Sequence, residues 1–134
     1  MSRERLESEL RSFFAGRGDV AAAYLFGSSA RGTAGTSSDV DIGVLFIADP
    51  PKTLEGIQDL LEDRLTQLTQ ERVDLVILND APCDLVHRVL RDGILLCEND
   101  KSRRVAFEVK KRNEYFDMAP IRALYRAARP QGRP

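Results

Sequence analysis

Leu25-Phe26-Gly27-Ser28-Ser29-Ala30-Arg31-Gly32-Thr33-Ala34-Gly35-Thr36-Ser37-Ser38-Asp39-Val40-Asp41-Ile42 is the stretch that decides how this chain is read. Just before and into it, Val20 to Phe26 is an apolar run long enough for one buried strand. Gly27 to about Thr33 reads as a turn entering a short helix, and Gly32 to Ser38 as a polar loop of small residues. Val40 to Ile47 is apolar again and reads as a second strand. A turn that ends a strand and opens a helix leaves backbone N–H groups at the positive end of the helix dipole, which suits an anion. Gly27 would let a phosphate approach the backbone closely, and the Ser28 hydroxyl would add a donor. A Gly-Ser turn alone is common and says little.

Its weight comes from Asp39 and Asp41. Residues two apart in a strand share a face, so both carboxylates point one way while Val40 and Ile42 point the other, into the core. Adjacent carboxylates repel and raise each other's pKa unless a cation lies between them. A solvated strand end is the ordinary alternative, but the pair leads into Ile42-Gly43-Val44-Leu45-Phe46, a core strand. Mg²⁺ takes few protein carboxylates and completes its shell with water and phosphate oxygens. Two such ions, about 4 Å apart, can hold both the attacking and the leaving oxygen of a phosphoryl transfer. A third carboxylate from a neighbouring strand is then expected, and Asp74 fits. It is the one charge within Val73-Asp74-Leu75-Val76-Ile77-Leu78, where a carboxylate is costly unless paired or metal-bound.

Further out, Ser2 to about Ala15 reads as a helix capped by Ser2, with Leu6, Leu10, Phe13 and Phe14 at helical spacing and Gly16 and Gly18 ending it. Pro50-Pro51 breaks the chain after the second strand. Thr53 to Gln70 is a long amphipathic helix with Leu54, Ile57, Leu61, Leu65 and Leu68 along one stripe. Val73 to Leu78 is a third strand, Asp84 to Arg91 a helix before Gly93, and Ile94 to Cys97 a short fourth strand. Asp100 caps a helix running to about Asp117, and Pro120 starts a further helical turn to about Ala128. Strands alternating with helices predict an α/β fold: a single mixed β-sheet flanked by helices, with a C-terminal helical segment. Residues 1–129 are expected to form one domain, and 130–134 a flexible tail.

With 43% apolar and 31% charged residues and a net charge of −1, composition fits a soluble globular protein and excludes a disordered chain. No apolar run reaches about 18 residues, so no membrane-spanning helix is expected. Met1 to Leu10 mixes Arg and Glu and does not read as a secretory leader. A cytoplasmic protein follows, with Cys83 and Cys97 expected as buried free thiols. The single His87 excludes a His-rich metal cluster and is expected to be structural or on the surface. Tyr115 and Phe116 are expected to pack the last helix on the body. Residues 1–100 carry 10 basic and 18 acidic residues, whereas residues 101–134 carry 10 and 3. Such a basic segment either attracts an anionic partner or lies as a solvated helix on an acidic body, and Lys110-Lys111-Arg112 admits the same two readings.

Gly27-Ser28, a ten-residue spacer, Asp39-x-Asp41 and the later Asp74 together resemble the polymerase-β-like nucleotidyltransferase superfamily, and within it the minimal nucleotidyltransferases. Ala30-Arg31-Gly32 also looks like that family. Asn113 to Pro120 looks like the C-terminal part of the adenylyltransferase-type antitoxins, which are encoded beside a helical HEPN-domain ribonuclease toxin and inactivate it by transferring AMP from ATP to a toxin tyrosine. The resemblance implies that Asp39 and Asp41 bind Mg²⁺, two ions in all, and that Asp74 completes the metal site and helps deprotonate the acceptor hydroxyl. It implies that Gly27 and Ser28 contact the β- and γ-phosphates, and that Arg31 either assists the triphosphate or locks the loop to an acidic neighbour.

The partners implied are ATP and a cognate HEPN toxin, with neither a membrane nor a specific nucleic acid. Only about 60 residues follow Asp74, which leaves little room for a dedicated acceptor pocket. That moves the acceptor onto a partner protein, with the basic C-terminal helix as a candidate docking surface. Two other functions stay open. One is nucleotidyl transfer to a small hydroxylated molecule such as an aminoglycoside. The other is a non-catalytic antitoxin that neutralises its partner by binding.

Overall fold

Ser2 opens the first helix as its sequence suggests, its Oγ accepting a hydrogen bond from the Arg5 N–H at 3.2 Å. The computed structural model describes residues 2–27, 40–50 and 55–128. Across them run α1 (Arg3–Ala15), β1 (Val20–Phe26), β2 (Val40–Phe46), α2 (Glu55–Thr69), β3 (Val73–Ile77), α3 (Cys83–Asp92), β4 (Ile94–Glu98), α4 (Lys101–Asp117) and α5 (Ala119–Ala128). α2 stops where Gln70 enters the left-handed region at φ 59°. Asp100 caps α4, its Oδ1 accepting from the Arg103 N–H at 3.0 Å. The short helix expected after Gly27, the polar loop behind it and the tail from 130 lie outside the described residues.

The strands form a mixed sheet in the order β3-β2-β1-β4. β2 and β3 are parallel, joined by the α2 crossover, and β1 is antiparallel to both β2 and β4. Helix side chains occupy both outer edges. On β3, Glu62 Oε2 accepts from the Leu75 N–H at 2.7 Å and Gln58 Nε2 donates to the Leu75 carbonyl at 2.8 Å. One turn further along α2, Thr66 Oγ1 accepts from the Val73 N–H at 3.4 Å. On β4, Arg11 of α1 donates to the carbonyls of Leu95 and Leu96 at 3.3 and 3.2 Å. Edge groups satisfied in this way cannot pair with another chain.

Alternation along the strands divides the core in two. Val40, Ile42, Val44, Phe46, Val73 and Leu75 pack with Leu10 and Phe14 of α1 and Leu61 and Leu65 of α2. Tyr24, Leu45 and Leu78 pack on the other side with Val86 and Val89 of α3 and Phe107 of α4. Asn99 closes the first layer, its Nδ2 donating to the carbonyls of Phe14, Arg17 and Val20 at 2.9, 3.1 and 3.1 Å. Both cysteines are free thiols but only half-buried, a correction to the expectation of full burial. Cys97 lies on an edge strand, and Cys83 opens α3, so neither is fully covered. Partial burial still pushes the Cys97 thiol pKa up.

Candidate active site

The candidate site lies where β1 ends and β2 and β3 begin. Antiparallel pairing sets Phe26 opposite Asp41, and parallel pairing sets Asp41 opposite Asp74. Adjacent strands lie about 4.8 Å apart, so the two aspartates stand side by side on one face. Val40, Ile42, Val73 and Leu75, the residues alternating with them, point into the α1–α2 core, so Asp41 and Asp74 face the side covered by α3 and α4. Both aspartates are half-buried. Ser28, Arg31 and Asp39 lie outside the described residues. Of the six residues singled out from sequence, the structure thus brings together Gly27, Asp41 and Asp74.

Gly27 follows β1 with φ 76°, a left-handed conformation natural to glycine. A methyl group built there would overlap the Asp41 carboxylate. The glycine therefore has a use that the sequence did not reveal: it leaves room for Asp41 as well as exposing backbone. Two carboxylates on neighbouring strands beside Gly27 offer hard oxygen donors, a set that suits a small divalent cation such as Mg²⁺.

One residue in from Leu25, on the same face as Phe26, Tyr24 anchors α4. Its hydroxyl donates to Glu108 Oε2 at 2.6 Å, and Glu108 also accepts from Arg104 at 2.8 Å. Arg104 pairs with Glu98 at the end of β4 as well. Burial, and then the Glu108 carboxylate, hold the Tyr24 phenol far above its ordinary range. The bond to Glu108 foremost keeps Arg104 firmly charged. In an apolar run Tyr24 reads as plain core; the i,i+4 pair Arg104/Glu108 was the only signal of a partner.

His87 is structural, its ring stacked on Tyr115 with centroids 3.7 Å apart. The Arg122 guanidinium lies against the same Tyr115 ring at 3.6 Å. Tyr115 thus packs on the body as expected. Phe116 does not: it is 59% exposed, at the rim of a groove that it lines with Arg112 and with His87, Leu90 and Arg91 of α3.

Residues 8–102 match the family model for Polymerase beta, Nucleotidyltransferase, and the chain belongs to that nucleotidyltransferase family. Among similar solved structures is a chain of a toxin–antitoxin crystal structure with AMP-PNP, 26% identical with a TM-score of 0.73, covering 95% of this chain and 98% of that one. A minimal nucleotidyltransferase is 32% identical with a TM-score of 0.57, covering 70% of this chain and 95% of its own. A complex of tri-AMPylated Shewanella oneidensis HEPN toxin with MNT antitoxin shares the fold, with 23% identity, a TM-score of 0.72, and coverage of 94% of this chain and 98% of that one. No curated protein matches the chain. Among the described residues, no helix is long and apolar enough to cross a membrane.

Proposed function

We propose that this chain is an antitoxin that transfers AMP from ATP to a tyrosine hydroxyl of a cognate HEPN ribonuclease toxin and so inactivates it. The observation that carries the reading is the register of Asp41 against Asp74 beside Gly27. It is supported by family membership and by the fold shared with a toxin–antitoxin chain crystallised with an ATP analogue. Asp41 and Asp74, joined by Asp39, would hold two Mg²⁺ ions, which when bound neutralise charge on the triphosphate and on the attacking oxygen. Gly27, Ser28 and Arg31 would bind the phosphates. Asp74 would accept the proton of the acceptor hydroxyl. The freed oxygen bonds to the α-phosphorus, the bond from that phosphorus to the bridging oxygen of the β-phosphate breaks, and pyrophosphate leaves.

Incubating the chain with the HEPN protein encoded beside it, ATP and Mg²⁺, then weighing the intact partner, tests this. The expected result is a mass gain in whole AMP units. Asp74→Asn, and Asp39→Ala with Asp41→Ala, should fold yet lose transfer on the order of 10²–10³-fold. Wild-type labelling by these variants would overturn the reading, as would transfer to an aminoglycoside in place of the protein. Full protection of cells by a triple aspartate variant would point instead to neutralisation by binding alone.

A further inference from the structure

α5 is built inside out. Ile121, Leu124 and Tyr125 fall on one side of it at i, i+3 and i+4, and they are 42%, 70% and 73% exposed. None of its residues is buried. Toward the body it turns Arg122, which lies on Tyr115 and reaches Asp84 at 3.5 Å. An ordinary surface helix does the reverse, packing its apolar stripe on the core. α4 repeats the pattern: Phe107 is buried, whereas Val105, Val109 and Phe116, which share a different side of the helix, are each more than two-fifths exposed. A helix of ten residues is too short to hold its shape on propensity alone, so a covered α5 is the stable state.

The charges say what covers it. Arg112 sits within the α4 stripe between Val109 and Phe116, and Arg126 adjoins Tyr125. Neither makes an ion pair among the described residues. A second copy of this chain would bring these like charges together, which opposes self-association. We propose that the outward faces of α4 and α5 dock an acidic, apolar-faced partner protein, the one that carries the acceptor hydroxyl. This rests on the preceding reading of the acceptor. α4 also covers the side of the sheet on which Asp41 and Asp74 stand, so a partner seated on it is on the side of the carboxylates.

The test uses the full chain and the purified HEPN protein encoded beside it, with two variants, Leu124→Asp/Tyr125→Asp and Arg112→Glu/Arg126→Glu. Both should keep the wild-type Tm and Mg·ATP affinity, because the altered side chains are exposed and make no ion pair among the described residues. Both should bind the partner on the order of 100-fold more weakly. Their AMP transfer should show a raised KM for the partner with kcat intact. Asp74→Asn should bind the partner like wild type while failing to transfer, so loss of docking and loss of chemistry are read apart. Unchanged partner affinity in both variants would overturn the proposal. So would a wild-type dimer that the variants dissolve, or flotation of the wild type, and not the variants, with phosphatidylserine vesicles. Tight, variant-sensitive binding without AMP transfer would sink the transferase reading and leave the docking surface standing.

Discussion

On one side of the sheet, Val40, Ile42 and Val44 meet Leu61 and Leu65 of α2 and Leu10 and Phe14 of α1, and all of them are buried. On the other side, β2 and β3 present half-buried Asp41 and Asp74 near their starts, and neighbouring β1 presents Tyr24, tied by its hydroxyl to Glu108. One residue of offset separates a wholly apolar layer from one in which apolar packing is joined by carboxylates. The wholly apolar layer holds the strands in place, and that fixes Asp41 and Asp74 side by side on the mixed one.

That contrast can be broken at three points, in order of expected loss of stability. Leu61→Ala removes a fully buried side chain from the wholly apolar layer and should cost about 3 kcal/mol, read from denaturant unfolding. The fraction that remains folded should still bind Mg·ATP, because Leu61 lies on the face away from the aspartates. Gly27→Ala imposes a left-handed backbone on a residue with a Cβ and should cost about 1–2 kcal/mol. It also displaces the Asp41 carboxylate, so transfer should fall on the order of 10²-fold, far more than unfolding explains. A fall in activity no larger than the fall in folded protein would show that the space for Asp41 does not matter.

Tyr24→Phe should cost about 1 kcal/mol by deleting the bond to Glu108, while Glu108 keeps Arg104. It also probes pH. Folding raises the Tyr24 pKa above the ordinary phenol value near 10, so the folded state holds a proton that the unfolded chain releases there. The stability linked to this proton is whole below about pH 10 and is lost as pH rises beyond it. Melting curves taken across that range should show a steeper alkaline decline in the wild type than in Tyr24→Phe.

Much of the fold was legible because its signals are local. Ser2 and Asp100 cap the helices they precede, and Val40 and Ile42 turn inward as the alternation demands. A lone aspartate in an apolar strand was enough to place Asp74 beside Asp41 once the two strands were paired. Strand order was not legible: β4 joins β1 from far along the chain, and nothing local encodes that pairing. Gln58, Glu62 and Thr66 read as the solvent face of an amphipathic helix, yet they seal an edge strand. For α5, Pro120 signalled a further helical turn but not the outward direction of Ile121, Leu124 and Tyr125.

The seal that α2 places on β3 depends on a near coincidence of lengths. Four residues of helix advance about 6.0 Å, and two residues of strand about 6.6 Å. Glu62 and Thr66, one turn apart, can therefore meet Leu75 and Val73, one pleat apart, like two rulers with almost equal divisions. The mismatch of about 0.6 Å per step accumulates, so the match is usable for only a few divisions. A β3 of five residues stays within that reach. A longer edge strand would slide out of phase with its helix and leave its far end open to pairing.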